Sequence, residues 1–178
     1  KALADYYELA EDQVFVGIGS DDVLSMSFLT FFNSGKPILF PNVTYSFYDV
    51  WADLYRIPYV TCALDDKMMI KKEDYFKENG GIVIPNPNAP TGVLQNMDFL
   101  RDVIEHNRDV VVIIDEAYVD FSESSALELT KEYDNVLIVQ TYSKSRSLAG
   151  MRIGYAMGNP ELIKAMNDVR YSLSLIHI

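Results

Sequence analysis

The sequence predicts an α/β fold in three layers, with helices covering both faces of a mainly parallel sheet. Three observations point there. Short apolar runs alternate with amphipathic stretches along the 178 residues. Two of the runs, "VVVII" (110–114) and "VLIV" (136–139), carry no polar alternation, as befits strands covered on both sides. Strand, helix and strand then follow one another often enough to require crossover helices over a parallel sheet.

Taken in order, "QVFVGIG" (13–19) reads as a strand ending in glycines. "SDDVLSMSFLTFF" (20–32) reads as a helix with Ser20 as its cap and two early acids that the helix dipole favours. "KPILFP" is a strand, and "YSFYDVWADLYR" a helix with Phe47, Val50, Trp51 and Leu54 on one face. "PYVTCAL" and "GGIVIP" are strands, the second stopped by the Pro/Asn-rich loop "PNPNAPTG" (85–92). "MDFLRDVIEHN" is a helix, and "DVVVIIDEAY", "NVLIVQTYS" and "RIGYAMG" are strands. "NPELIKAMNDVRY" opens with Asn-Pro-Glu, a good helix start.

Composition excludes several classes. A net charge of -11 opposes binding to a polyphosphate backbone. The lone Cys62 rules out an internal disulfide, and His106 and His177 lie too far apart in sequence to suggest a metal cluster, so no metal ligand is assigned. No apolar run is long enough to span a bilayer, and Lys1–Glu11 is too polar for a signal peptide. The expectation is a cytoplasmic protein with small-molecule partners. The chain begins without Met, so a missing N-terminus is expected. The tail "LSLIHI" (173–178) breaks the preceding helix. The codons CTG TCT CTT ATA CAC ATC, a common transposase adapter in sequencing libraries, would encode it. We therefore read 1–172 as one domain and 173–178 as a non-native tail, the alternative being the start of a strand.

In a parallel sheet ligands collect beyond the carboxyl ends of strands, so the loops there matter most. Lys144 follows a strand, where a lysine is ordinarily a solvated charge. Its neighbours change that reading: Thr141, Ser143 and Arg152 could bind one phosphate, and Gly150 lets the backbone turn closely. A deprotonated lysine amine beside a phosphate-bearing aldehyde could bind its carbonyl carbon. Asp115 ends an apolar strand, where a carboxylate is costly unless paired. It either caps the strand or keeps a ring nitrogen protonated, with Tyr118 reaching a phenolate oxygen on the same ring. "GIGSDD" is either a capped helix or an anion site formed by the amides of Ser20 and Asp21. "NPNAPTG" is a rigid turn or a source of a hydrogen bond to the ring through Asn88. Tyr45 is a core aromatic or stacks on a flat cofactor.

Together these pieces resemble the fold-type I aminotransferases that use pyridoxal 5'-phosphate. "TYSKSRSLAGMRIGY" is similar to their covalent-attachment segment, "DEAY" to their ring-nitrogen and phenolate pair, and "PNPNAPTG" to their Asn-Pro-Thr-Gly loop. "GSDDVL", "TYSFYDVWADLY", "DEAYVDF" and "SLAGMRIGY" are in the style of the branch acting on histidinol phosphate. The resemblance implies that Lys144 attaches the cofactor and moves the proton, that Asp115 pairs with the pyridinium nitrogen, and that Tyr118 reaches the ring hydroxyl. Tyr45 would stack on the ring. Ser143, Arg152 and the Ser20 and Asp21 amides would hold the phosphate, with Thr141 a weaker contributor.

The sequence departs from the family at Ala89, where an asparagine usually precedes Pro-Thr-Gly; either Asn88 serves instead or that bond is absent. Val43 replaces a usual proline. The reaction implied is transamination between an amino donor and a keto acid by a homodimer, of which this chain is the large domain, truncated at both ends and weak or inactive alone. Threonine-phosphate decarboxylation, another transamination, and a sensor domain of a transcription regulator are the competing readings.

Overall fold

The computed structural model describes residues 1–170. The predicted tail at 173–178 and the last two positions of the predicted domain lie outside them. Among the described residues seven strands form one sheet: β1 (Val14–Ile18), β2 (Ile38–Pro41), β3 (Tyr59–Cys62), β4 (Ile82–Pro85), β5 (Val112–Asp115), β6 (Val136–Thr141) and β7 (Ile153–Gly158). Their spatial order is β1-β7-β6-β5-β4-β2-β3. β7 runs antiparallel to both its neighbours, β1 and β6; the remaining pairs are parallel. The mainly parallel α/β sheet is therefore as expected.

Strand alternation sends successive side chains to opposite faces, and two cores result. On one face Val83, Ile113, Leu137 and Val139 pack beneath three helices, α2 (Gly19–Phe31), α3 (Tyr48–Tyr55) and α6 (Pro160–Val169). On the other, Ile82, Ile84, Val112, Ile114, Val136 and Ile138 meet α4 (Met97–Glu105) and α5 (Leu129–Glu132). The short α1 (Ala2–Tyr7) lies against this second core through Leu3 and Tyr7. Each such fully buried aliphatic side chain contributes about 1.5–3 kcal/mol.

Two local expectations fail. Ser20 does not cap α2 but sits inside its first turn; instead Asp22 Oδ2 accepts a hydrogen bond from the Ile18 N–H at 2.9 Å. A carboxylate two residues further on reaches back more readily than a serine already in the helix. The face of α3 is also rotated: Tyr48, Trp51 and Ala52 are buried, while Phe47, Val50 and Leu54 stay at least 46% exposed. A tyrosine with a buried hydrogen-bond partner replaces a valine in the core, as described below. No helix among the described residues is long and apolar enough to cross a membrane. Among those same residues, no group of three His, Cys, Asp or Glu could hold a metal ion.

Candidate active site

β1, β2, β4, β5 and β6 point the same way, so the loops that follow them gather at one edge. They enclose a cleft with about 640 Å³ of empty space, its open mouth included. Ser20, Asp21, Tyr45, Asp115, Tyr118, Ser143, Lys144 and Arg152 all line it, with Leu24, Pro85, Pro87, Ala89 and Ala117 between them.

One end is built for an anion. Gly19 starts α2 at φ 81°, a conformation that glycine alone adopts without strain. A Cβ there would run into the Arg152 guanidinium, and one at Gly154 would strike the Gly19–Ser20 peptide. Both glycines are what let the helix N-terminus and Arg152 close on one spot. The first N–H groups of a helix have no partner inside it, which leaves the Ser20 and Asp21 amides for a ligand. Arg152 itself turns through the left-handed region at φ 50°. Its Nη2 lies 3.5 Å from Asp21 Oδ2, and Tyr45 Oη donates to Asp21 Oδ1 at 2.8 Å. Partial burial, then this bond, push the Tyr45 phenol well above its ordinary value.

The other end holds an acid. Alternation along β5 sends Asp115 to the same face as Ile113, under α3, and it is buried. Tyr48 Oη donates to its Oδ2 at 2.7 Å and the Ala117 N–H to its Oδ1 at 3.1 Å. Burial drives the Asp115 carboxyl above the usual carboxylate range; those two bonds pull it back, and the Lys144 charge only slightly. Lys144 Nζ stands 5.4 Å from the centre of the Tyr118 ring. A buried acid facing a cleft wants a cationic N–H as its partner. The donor set therefore fits a flat ring with a protonatable nitrogen at one end and a phosphate at the other, within reach of a primary amine.

Two predicted residues stand apart from the cleft wall. The Asn88 amide is engaged within the protein: it donates to Val43 O at 2.9 Å and Thr91 Oγ1 at 3.0 Å, and accepts from Thr44 Oγ1 at 3.1 Å. These bonds tie the Asn88 loop to the loop that follows β2 and hold its amide away from the cleft wall. Thr141 is buried beneath Ser143, accepting its N–H at 3.1 Å and touching its hydroxyl at 3.0 Å. It holds Ser143 from below and does not itself line the cleft. Tyr48 is the residue sequence reasoning missed. The signal was its place one turn after Tyr45, which alone cannot distinguish a core aromatic from a hydrogen-bond donor.

The fold and this cleft are of the aminotransferase type, and the family model "Aminotransferase class I and II" matches residues 1–174. The chain belongs to that family. It is 52% identical over 174 residues to the histidinol-phosphate aminotransferase of Lactococcus lactis subsp. cremoris (strain SK11), which covers 98% of this chain and 49% of that protein. The chain thus spans about half the length of the curated relatives it matches. Among solved structures, the histidinol-phosphate aminotransferase of Clostridium acetobutylicum superposes with a TM-score of 0.87 at 26% identity, over 96% of this chain and 52% of that one. The Sinorhizobium meliloti histidinol-phosphate aminotransferase, solved in complex with pyridoxal-5'-phosphate, gives a TM-score of 0.88 at 22% identity, covering 98% and 50%.

Proposed function

We propose that this chain is the cofactor-binding large domain of a pyridoxal 5'-phosphate-dependent aminotransferase. The whole protein would be a cytoplasmic homodimer that exchanges an amino group between histidinol phosphate and the glutamate/2-oxoglutarate pair in histidine biosynthesis. The observation that carries the reading is the single cleft in which the Lys144 amine, the buried Asp115 and the Ser20–Arg152 anion cradle converge. The substrate rests on the names of relatives about half identical to this chain.

Bound pyridoxal phosphate supplies an aldehyde carbon that amines attack and a protonated ring that accepts electron density. Lys144 would hold it covalently. The Ser20 and Asp21 amides, Ser143 and Arg152 would hold its phosphate, and Tyr45 would lie against its ring. Asp115 would keep the ring nitrogen protonated, and for that it must itself be ionised. Tyr48 and the Ala117 amide favour that state by donating to both its oxygens. Tyr118 would donate to the ring hydroxyl. Lys144 Nζ would also take the proton from the substrate α-carbon and hold it at that nitrogen. Leu24, Pro85, Pro87 and Ala117 give the cleft an apolar lining between these groups.

The test uses the full-length protein loaded with pyridoxal phosphate. Borohydride reduction and peptide mapping should find the cofactor on Lys144, and histidinol phosphate with 2-oxoglutarate should yield glutamate. Cofactor trapped on another lysine would overturn the site. Release of carbon dioxide from threonine phosphate, with no turnover of histidinol phosphate, would move the substrate assignment to the decarboxylase.

A further inference from the structure

Arg146 plays no part in the chemistry above, yet it is the most heavily bonded side chain near Lys144. It does not point to solvent. Its Nε and Nη2 donate to the two oxygens of Asp120 at 3.0 and 3.1 Å. Its Nη2 also reaches Tyr7 Oη at 3.2 Å and Gln140 Oε1 at 3.3 Å, and its Nη1 bonds Tyr155 Oη. The guanidinium lies over the Tyr142 ring, 5.1 Å from its centre. The side chain is only 23% exposed.

The partners matter for where they sit in the chain. Asp120 lies two residues beyond Tyr118, in a short 3-10 turn at Val119–Phe121. Ser145 Oγ, next to Lys144, bonds the same Asp120 carboxylate. Both residues that follow Lys144 therefore grip the segment that carries Tyr118. Among the described residues the lysine turn itself is closed by two backbone bonds, Ser147 N–H to Lys144 O at 3.0 Å and Leu148 N–H to Tyr142 O at 2.9 Å, and Ser147 sits at φ 55°. A turn held so lightly would not by itself fix a long lysine side chain. Tyr7 and Gln140 extend the grip to α1 and to β6, Tyr7 donating to Gln140 Oε1 at 2.7 Å.

The geometry points to Arg146 and Asp120 as a pair of positioning residues, clamping the Lys144 turn to the Tyr118 segment so that amine and phenol keep a fixed separation across the cleft. A bidentate guanidinium–carboxylate pair suits this task because its fork fixes orientation as well as distance. This inference rests on the function proposed above, since it assigns the clamp a purpose in that reaction. A misplacement of even 1 Å can slow a reaction on the order of 100-fold, so a loosened clamp should register in turnover before it registers in binding.

The test compares full-length wild type with Arg146→Lys, Arg146→Gln, Asp120→Asn and the Asp120→Asn/Arg146→Gln double variant. Each Gln or Asn variant should lose about 10-fold or more in kcat with KM nearly unchanged, the pattern of a geometry lost in the transition state. The double variant should be no slower than the worse single one, because the two act as a unit. Arg146→Lys should recover part of the loss through its charge. In cofactor-free protein, the amides of Ser147 and Leu148 should exchange hydrogen about 10-fold faster in the variants, with β6 amides unchanged. If the variants keep wild-type kcat, or lose stability uniformly with no local change in exchange, the clamp is ordinary scaffolding and the inference is overturned. Wild type that never binds pyridoxal phosphate would instead sink the proposed function, while the exchange measurement would still read the clamp.

Discussion

Tyr48 Oη donates a hydrogen bond to Asp115 Oδ2 across 2.7 Å, joining the buried face of α3 to the carboxyl end of β5. Both residues are buried, so neither group has water as a substitute partner. Removing the donor as Tyr48→Phe should cost about 1.5–3 kcal/mol in unfolding free energy, the range for a bond to a charged group, as read by urea titration at neutral pH. It should also weaken pyridoxal phosphate, because Asp115 then protonates more readily.

Asp115 gives a pH signature of its own. Burial raises its folded-state value above the unfolded one, so the folded chain binds the proton more tightly. The associated stability is present below the unfolded value and is lost as pH rises through the folded one. Asp115→Asn cannot titrate. Cofactor-free Asp115→Asn should therefore gain on wild type as pH is raised from about 4 to 8, measured by chemical unfolding across that window. Its turnover should fall by roughly 100-fold or more, since a fixed charge opposite the reacting ring is gone.

The anion cradle makes a steric prediction. A Cβ at residue 154 would strike the Gly19–Ser20 peptide, and backbone cannot step aside cheaply. Gly154→Ala should destabilise the fold by about 1–3 kcal/mol, seen as a lower midpoint in thermal unfolding. Arg152→Ala should leave the fold nearly unchanged, because its pair with Asp21 is half exposed. It should weaken pyridoxal phosphate roughly 10- to 100-fold in an absorbance titration.

Glu116 separates the two acids of "DEAY" by role. Its carboxylate is buried on the opposite face of the sheet, accepting from Ser125 Oγ at 2.7 Å, Ala126 N–H at 2.6 Å and Gln140 Nε2 at 2.7 Å. Glu116→Ala strands three donors, two of them buried, and should cost about 3 kcal/mol or more in denaturant unfolding. Glu116→Gln keeps most of the bonds and should retain turnover within a few-fold, which would set it apart from Asp115→Asn in one activity assay.

Much of this protein can be read before any coordinates. The unalternating strands at 110–114 and 136–139 imply a sheet covered on both faces, and the parallel order then puts "GIGSDD", "DEAY" and "TYSK" at one rim. The reason is local: strand period, glycine punctuation and the polarity of the connecting loops are properties of short segments. What only tertiary structure decided is which side chain each buried polar group meets. Asp115 and Glu116 are neighbours with the same chemistry, and strand alternation sends one to Tyr48 in α3 and the other to Gln140 in β6. Asn88 looks free to serve a ligand until Val43, Thr44 and Thr91 are seen to take its amide. Arg146 draws no notice in the sequence, and its partner Tyr7 comes from a segment more than a hundred residues away. Such partners come from distant parts of the chain, and no local pattern records a bond whose two ends meet only when the sheet has assembled.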